Sequence, residues 1–512
     1  MEKKLFLAWF VMLLWLTGCA VNPVTGKNEL AFVSESSEIS IGTKQYLPSR
    51  QMQGGDYHTA PEVVAYVKRV GQRLAAVSDR KLPYEFNVIN DSTPNAWALP
   101  GGKIVINRGL LVELNSEAEL AAVLGHEIVH AAARHGAQGM ERGMMLQGAI
   151  MVAGIASQNS EYSGLAVGGA GIAAQLLTHK YSRDAEREAD FYGMKYMSKA
   201  GYNPHAAINL QQTFVRLSES GNSNWLNGLF ASHPPSQERV DANRITAANL
   251  PKGGEVGRER YQKIIAPLLR DRNAYKAFDE GRKALDDGNT SRALSLANKA
   301  IKMQPREALF HSLRGDVRLK QQRYHDAITN YDRALQHDGE YFHYYLQRGL
   351  ARLKLRNTVQ AQADLKKSIA FLPTAPAMNA LGNLSLNGGD VVTAKKYFSA
   401  AAGSNSNAGE AANRSLIRLD LPDNPHKYLQ LKLGRDRSNY LLVQINNRTR
   451  ETVADVGFVV QFKDTQGKIR TVRLQLSDRL APQQSKTLAT GIGPFADLKN
   501  VQGMVVRARV VE

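Results

Sequence analysis

The chain has 512 residues, too many for one hydrophobic core, so several domains are expected. Lys and Arg (65) outnumber Asp and Glu (47) to give a formal net charge of +18, but 43% of the residues are hydrophobic, which excludes a disordered polycation. No basic block or recognition motif accompanies the charge, so no nucleic-acid partner is expected and the excess reads as a basic surface suited to anionic lipid. The single cysteine, Cys19, excludes an intramolecular disulfide.

Residues 1–18 read as a targeting segment: Lys3 and Lys4, then an apolar stretch from Leu5 to Leu16 that is shorter than the ~20 residues of a membrane-spanning helix. The quartet Leu16-Thr17-Gly18-Cys19 resembles a bacterial lipoprotein box, which implies cleavage before Cys19 and its lipidation. Ala20 rather than Asp follows, and in such lipoproteins this implies an outer-membrane anchor facing the periplasm of a Gram-negative cell. Residues 19–57 are polar and turn-rich, a lipidated tether leading into the first domain. Val63, Val64, Val67, Val70 and Leu74 recur at helical spacing behind Pro61 and predict a helix over 61–78. Tyr84 to Ile89 alternates as a strand. The segments 95–99 and 103–106 flank Pro100-Gly101-Gly102 as a hairpin whose edge, at Asn95, Ala96 and Trp97, can accept an extended peptide or serve structure alone.

The apolar run from Ser116 to Ala133 contains Leu124-Gly125-His126-Glu127-Ile128-Val129-His130, a HExxH pattern with no Pro and one interior Gly, and so predicts a buried helix. On a helix, positions i and i+4 stand one turn apart on the same face. His126 and His130 therefore offer two imidazoles to one metal, with Glu127 beside them as a base toward water. Zn²⁺ lowers the pKa of water it binds from 15.7 to roughly 7. Ala133 and Gly136 stand where HExxHxxGxxH would need Gly and His, so that pattern is absent. His135, nine residues after His126, is expected to point away from the site. Two Ala/Gly/Met-rich runs follow, 144–156 and 164–177, each too short to span a bilayer; they read as a buried helical hairpin or, alternatively, as a lid or lipid-contacting element. In the stretch 181–197, Ala185, Ala189, Tyr192, Gly193, Tyr196 and Met197 share one face. Glu186 falls within that inward arc, which makes it the third ligand, whereas Asp184 and Glu188 fall on the other side. Asp190, one turn on from Glu186, suits an acceptor for an imidazole N–H.

HExxH followed by ExxxD, here His126-Glu127-x-x-His130 and Glu186-x-x-x-Asp190, resembles the metallopeptidases related to the CAAX prenyl protease. The segments Asn95-Ala96-Trp97-Ala98-Leu99-Pro100-Gly101-Gly102 and Ser232-His233-Pro234-Pro235 agree with that resemblance, which covers roughly Val21 to Leu250. With the repeats described next, the chain is similar to the periplasmic members of that family, the beta-barrel assembly-enhancing proteases. The resemblance implies one Zn²⁺ per chain, peptide-bond hydrolysis and control by surrounding loops. It also implies that His233 approaches the metal, either as a fourth ligand that blocks water or as a stabiliser of the oxyanion; from the sequence alone His233 is an ordinary loop histidine. Arg239 can meet a substrate carbonyl or pair with an acid.

Downstream, Gly281, Gly315, Gly349 and Gly382 recur at spacings of 34, 34 and 33, and Ala293, Ala327, Ala361 and Ala394 keep the same register. Ala297, Tyr331, Leu365 and Phe398 follow four residues after those alanines. This is a tetratricopeptide signature of four repeats from about 274 to 408, with a concave groove for extended peptides or partner proteins. Beyond the Ser/Asn-rich linker at 403–407 a short helix closes the stack, and then the period changes to two. Segments 440–445, 453–462, 469–476, 485–489 and 501–511 predict a small antiparallel β-sandwich outside the family resemblance. The expected architecture is multidomain: signal peptide 1–18, tether 19–57, an α+β zincin-like metallopeptidase domain 58–255, an all-α tetratricopeptide solenoid 256–420, and an all-β sandwich 421–512. The expected function is a periplasmic zinc metalloendopeptidase of the gluzincin type acting on unfolded or misassembled envelope proteins, with a protein partner in the repeat groove and the membrane reached through Cys19. The competing expectation is a non-proteolytic envelope chaperone or scaffold whose metal site is silent.

Overall fold

A computed structural model describes residues 19–152, 180–219, 228–464 and 466–511. The targeting segment 1–18 and the second apolar run 164–177 lie outside them, as does most of the loop at 221–230. The described residues form two compact units that divide at Pro373/Thr374.

The first unit opens on a two-stranded ribbon, β1 (Cys19–Val21) against β2 (Asn28–Leu30), in which Cys19 stands opposite Leu30. An 18-residue helix, α1 (Glu35–Met52), follows where sequence predicted only a turn-rich tether. Its inward residues are Glu38, Gln45, Tyr46 and Gln51, a polar set that carries no apolar period to read. The predicted helix is α2 (Pro61–Ala75). Strands β3 (Glu85–Ile89), β4 (Ala96–Leu99) and β5 (Lys103–Asn107) form one sheet in the order β3-β5-β4, with β3 parallel and β4 antiparallel to β5. The predicted hairpin is present: Gly101 and Gly102 turn it at φ +77° and +84°. β4 lies at the edge of the sheet. A one-turn helix, α3 (Arg108–Leu111), leads to α4 (Glu117–Ala132), which carries both histidines of the HExxH pattern.

Both ends of α4 are fixed by buried polar contacts. At its start, Ser116 Oγ accepts from the Glu119 amide at 3.2 Å, and Glu117 accepts from Tyr66 and Tyr202 hydroxyls at 2.6 and 2.7 Å and from Arg260. At its end, Arg134 takes a left-handed conformation, φ 61°, so the next helix, α5 (His135–Val152), starts in a new direction. A non-glycine residue pays about 1–2 kcal/mol for that geometry. The buried Arg134 guanidinium offsets it by pairing with Glu38 of α1 and donating to the Val33 carbonyl at 2.6 Å.

After the undescribed stretch come α6 (Arg183–Lys199), α7 (His205–Glu219), a single turn α8 (Leu229–Ser232) and α9 (Gln237–Ala248). Helices α4 and α6 cross at Gly125 and Gly193: a Cβ on Gly193 would lie 3.1 Å from the backbone nitrogen of His126. That close backbone approach brings the acids of α6 to the histidines of α4.

The repeats begin on α10 (Arg258–Asp286), paired with α11 (Thr290–Met303); α12 (Ala308–Lys320) pairs with α13 (Tyr324–His337), and α14 (Phe342–Lys354) with α15 (Thr358–Phe371). The periodic glycine gives room for the bulky residue of the partner helix; a Cβ on Gly315 would lie 2.6 Å from the Tyr331 ring. Within this unit the repeats grip the peptidase domain. Glu307, 1% exposed, accepts from Asn90 at 3.0 Å and from Thr59 and Tyr275 at 2.5 Å, and the Arg108 guanidinium lies 3.3 Å over the Tyr275 ring.

The second unit holds the fourth helix pair, α16 (Ala375–Asn387) and α17 (Val391–Ala402), then α18 (Asn407–Asp420). Two three-stranded antiparallel sheets follow, ordered β10-β7-β6 and β11-β8-β9. Their strands are β6 (Leu429–Arg435), β7 (Leu441–Asn447), β8 (Val453–Lys463), β9 (Ile469–Leu476), β10 (Ser485–Ala489) and β11 (Gln502–Val510). Leu441, Val443 and Ile445 of one sheet share a core with Val456, Phe458 and Val460 of the other. Strand β6 is an addition to the five predicted; its Leu429-Gln430-Leu431-Lys432-Leu433 alternation is of the same kind. Among the described residues no helix is long and apolar enough to cross a membrane.

Candidate metal centre

One turn of α4 sets His126 and His130 side by side, their Nε2 atoms 3.0 Å apart. Glu186, in the first turn of α6, faces them: its Oε1 lies 3.4 Å from His130 Nε2 and its Oε2 3.6 Å from His126 Nε2. His233 follows α8, where Pro234 and Pro235 keep the chain extended. Its Nδ1 lies 2.9 Å from Glu186 Oε1 and 3.2 Å from His126 Nε2. Four donors around one ion at bonds of about 2.1 Å would stand about 3.4 Å apart in a tetrahedron. The five separations here run from 2.9 to 3.6 Å, so the set fits a divalent cation in both spacing and donor type. Burial holds the His130 imidazole well below its ordinary pKa, in the neutral form a ligand requires.

Glu127 is 1% exposed and its Oε2 has no hydrogen-bond partner among the described residues. Burial pushes its carboxyl up, which suits a group that must take a proton. Glu186 behaves in the opposite way. Its burial opposes ionisation, but the charges of His233 and Arg239 hold it well below the usual carboxylate range.

Asp190, one turn on from Glu186, has its Oδ1 2.9 Å from His126 Nδ1. Arg239, 6% exposed at the start of α9, donates through Nε and Nη2 to Asp190 at 2.7 and 2.8 Å, and its Nη1 lies 2.8 Å from Glu186 Oε2. Of its two expected roles the geometry supports acid pairing, because every guanidinium nitrogen is engaged within the chain. Asn95 precedes the edge strand β4, which Ala96 and Trp97 begin; Trp97 is buried and donates from Nε1 to Gln53 at 2.9 Å.

Two neighbours were missed by sequence reasoning. Tyr181, immediately before the N-cap Ser182 of α6, stacks on His130 with ring centroids 3.8 Å apart. His135 does not point away. The left-handed turn at Arg134 ends α4 before His135, so the helical phase no longer applies, and His135 Nδ1 comes to 2.9 Å from His130 Nδ1. It is not among the four converging donors. Glu188, expected on the far side of α6, meets His135 and Lys27 instead of solvent alone.

A histidine pair one helical turn apart, joined by a carboxylate from a crossing helix, is the donor set of a metallopeptidase. Residues 61–246 match peptidase family M48 and residues 278–342 match the tetratricopeptide repeat, so the chain holds an M48 peptidase domain, a tetratricopeptide solenoid and a strand-rich C-terminal region. It is similar to the beta-barrel assembly-enhancing protease of Escherichia coli strain K12, 28% identical over 239 residues (42% of this chain, 46% of that protein), and to its namesake in Yersinia pestis, 31% over 161 residues (30% and 32%). It is also similar to the mitochondrial metalloendopeptidase OMA1 of Schizosaccharomyces pombe, 35% identical over 180 residues (34% and 50%). The matched segment spans half or less of the length of each of these relatives.

Proposed function

We propose that this chain is a zinc-dependent metalloendopeptidase of the HExxH…ExxxD type, with His126, His130 and Glu186 as ligands and Glu127 as the catalytic base. The observation that carries the reading is the convergence of four donors beside a buried, unpartnered carboxylate oxygen. A zinc ion held there supplies Lewis acidity toward water and a peptide carbonyl. Glu127 takes the proton of the attacking water and returns it to the leaving amine. Asp190 accepts from His126 Nδ1, which leaves Nε2 free to bind, and Arg239 neutralises the buried Asp190 and Glu186. The edge strand β4 can add an extended substrate through its backbone, with Asn95, Ala96 and Trp97 alongside. His233 is assigned to the fourth donor position at rest, where it blocks water until substrate or partner moves its loop.

The cellular setting rests on the sequence and on the names of the relatives. In this reading residues 1–18 are a lipoprotein signal, Cys19 is lipidated at the outer membrane facing the periplasm, and the domains divide at about 57, 255 and 420. The substrates are unfolded or misassembled envelope proteins, in quality control or assembly, and the repeats recruit substrate or partner. The test is casein hydrolysis together with zinc content of the purified chain. Glu127→Gln should keep zinc and lose cleavage, and Glu186→Ala should lose zinc. Undiminished hydrolysis by zinc-loaded Glu127→Gln would refute the assignment, and a wild-type chain that binds zinc without cleaving would favour the silent scaffold.

A further inference from the structure

We propose that His135 is a positioning residue of the metal site: it holds His130 in the tautomer that presents Nε2 to the ion, and it is itself set by Glu188 and Lys27. This inference rests on the reading of His130 as a ligand. An imidazole that gives a lone pair from one ring nitrogen carries its proton on the other, and the partner of that second nitrogen fixes ring and tautomer. His130 Nε2 faces the donor cluster, so its proton belongs on Nδ1. The atom 2.9 Å from it is Nδ1 of His135, 3% exposed. Two ring nitrogens at that distance share one proton, so His135 Nδ1 accepts and His135 carries its own proton on Nε2. That nitrogen faces Glu188 Oε2 at 3.4 Å, and Glu188 Oε1 accepts from Lys27 Nζ at 2.8 Å.

The two histidines of the HExxH pattern are thus held differently. His126 donates directly to a carboxylate, Asp190, whereas His130 donates to a neutral imidazole backed by a carboxylate. The backbone that delivers His135 is built by the segment ahead of the peptidase domain. Asn22 Nδ2 donates to the Ala133 carbonyl at 2.9 Å, Glu38 pairs with Arg134, which Glu141 of α5 also meets, and Lys27 supplies the outermost bond. Residues 22–38 therefore bear on metal affinity without containing a ligand.

The experiment measures zinc affinity of the full chain by chelator competition, the absorption spectrum of the Co²⁺ form, and thermal stability in EDTA. His135→Asn keeps an acceptor oxygen near the Nδ1 position; His135→Leu keeps bulk and removes the acceptor. His135→Leu should weaken zinc by about 10–100-fold and alter the cobalt spectrum, while His135→Asn stays near wild type. Metal-free stability should be the same for both variants. Glu188→Ala, at a half-buried position on the outside of α6, leaves the core intact and should weaken zinc several-fold. Wild-type affinity in His135→Leu or Glu188→Ala, or equal losses in the Asn and Leu variants, would overturn the proposal. A wild-type chain that takes up neither zinc nor cobalt would instead overturn the ligand reading itself.

Discussion

Arg239→Leu should destabilise the peptidase domain by about 3–5 kcal/mol, the cost of removing one partner from a buried ion pair. The geometry sets that magnitude. Arg239 bridges both oxygens of Asp190 and reaches Glu186 Oε2, and all three residues are less than 10% exposed. Leu fills much of the space but leaves two buried carboxylates with no cation between them. In the native chain both acids titrate below their ordinary values, so the folded state binds fewer protons than the unfolded one. Their contribution is present above the usual carboxylate range and is lost as pH falls through the folded values. Without Arg239 burial prevails and the sign reverses: the variant's deficit should shrink on acidification. Zinc, by charging the cluster, should restore part of the loss, and EDTA should not. Urea unfolding followed through tryptophan fluorescence and far-UV circular dichroism, at neutral pH and at about pH 4.5, reads all three effects. A loss below about 1 kcal/mol, or one independent of pH, would refute the reasoning.

His233→Ala should raise basal proteolysis, self-cleavage included, as the fourth donor position opens; a fall in kcat by about 10²-fold would instead make His233 the oxyanion stabiliser, and unchanged activity would leave it neither role. Cys19→Ser should abolish palmitate labelling and release the chain from membranes, and labelling that persists would rule out the lipoprotein box.

Much of the architecture was legible because it depends on local periods. The 3.6-residue phase put His126 and His130 on one face and turned Glu186 rather than Glu188 toward the apolar side, and Glu186 stands in the donor cluster. The 34-residue spacing of Gly281, Gly315 and Gly349 reported the helix pairs, since a repeat must present the same small residue at each crossing. Alternation found five of the six strands of the C-terminal region. Helix α1 was not legible, because its buried positions include Glu38 and Gln51, whose inward placement answers to Arg80, Arg134 and the repeat at Phe342.

By itself, then, the sequence determined which side chains share a face and which chemistry they carry: two imidazoles and a base on one helix, a carboxylate on another. Only the tertiary structure decided what stands behind them. Arg239 takes up Asp190 across 49 residues, and Glu38 holds Arg134 across 96. That single left-handed residue turns His135 from the far side of a helix to within 2.9 Å of His130. A helical phase is a property of neighbours along the chain, whereas a left-handed residue is held by whatever distant group offsets its cost, and no local pattern records that group.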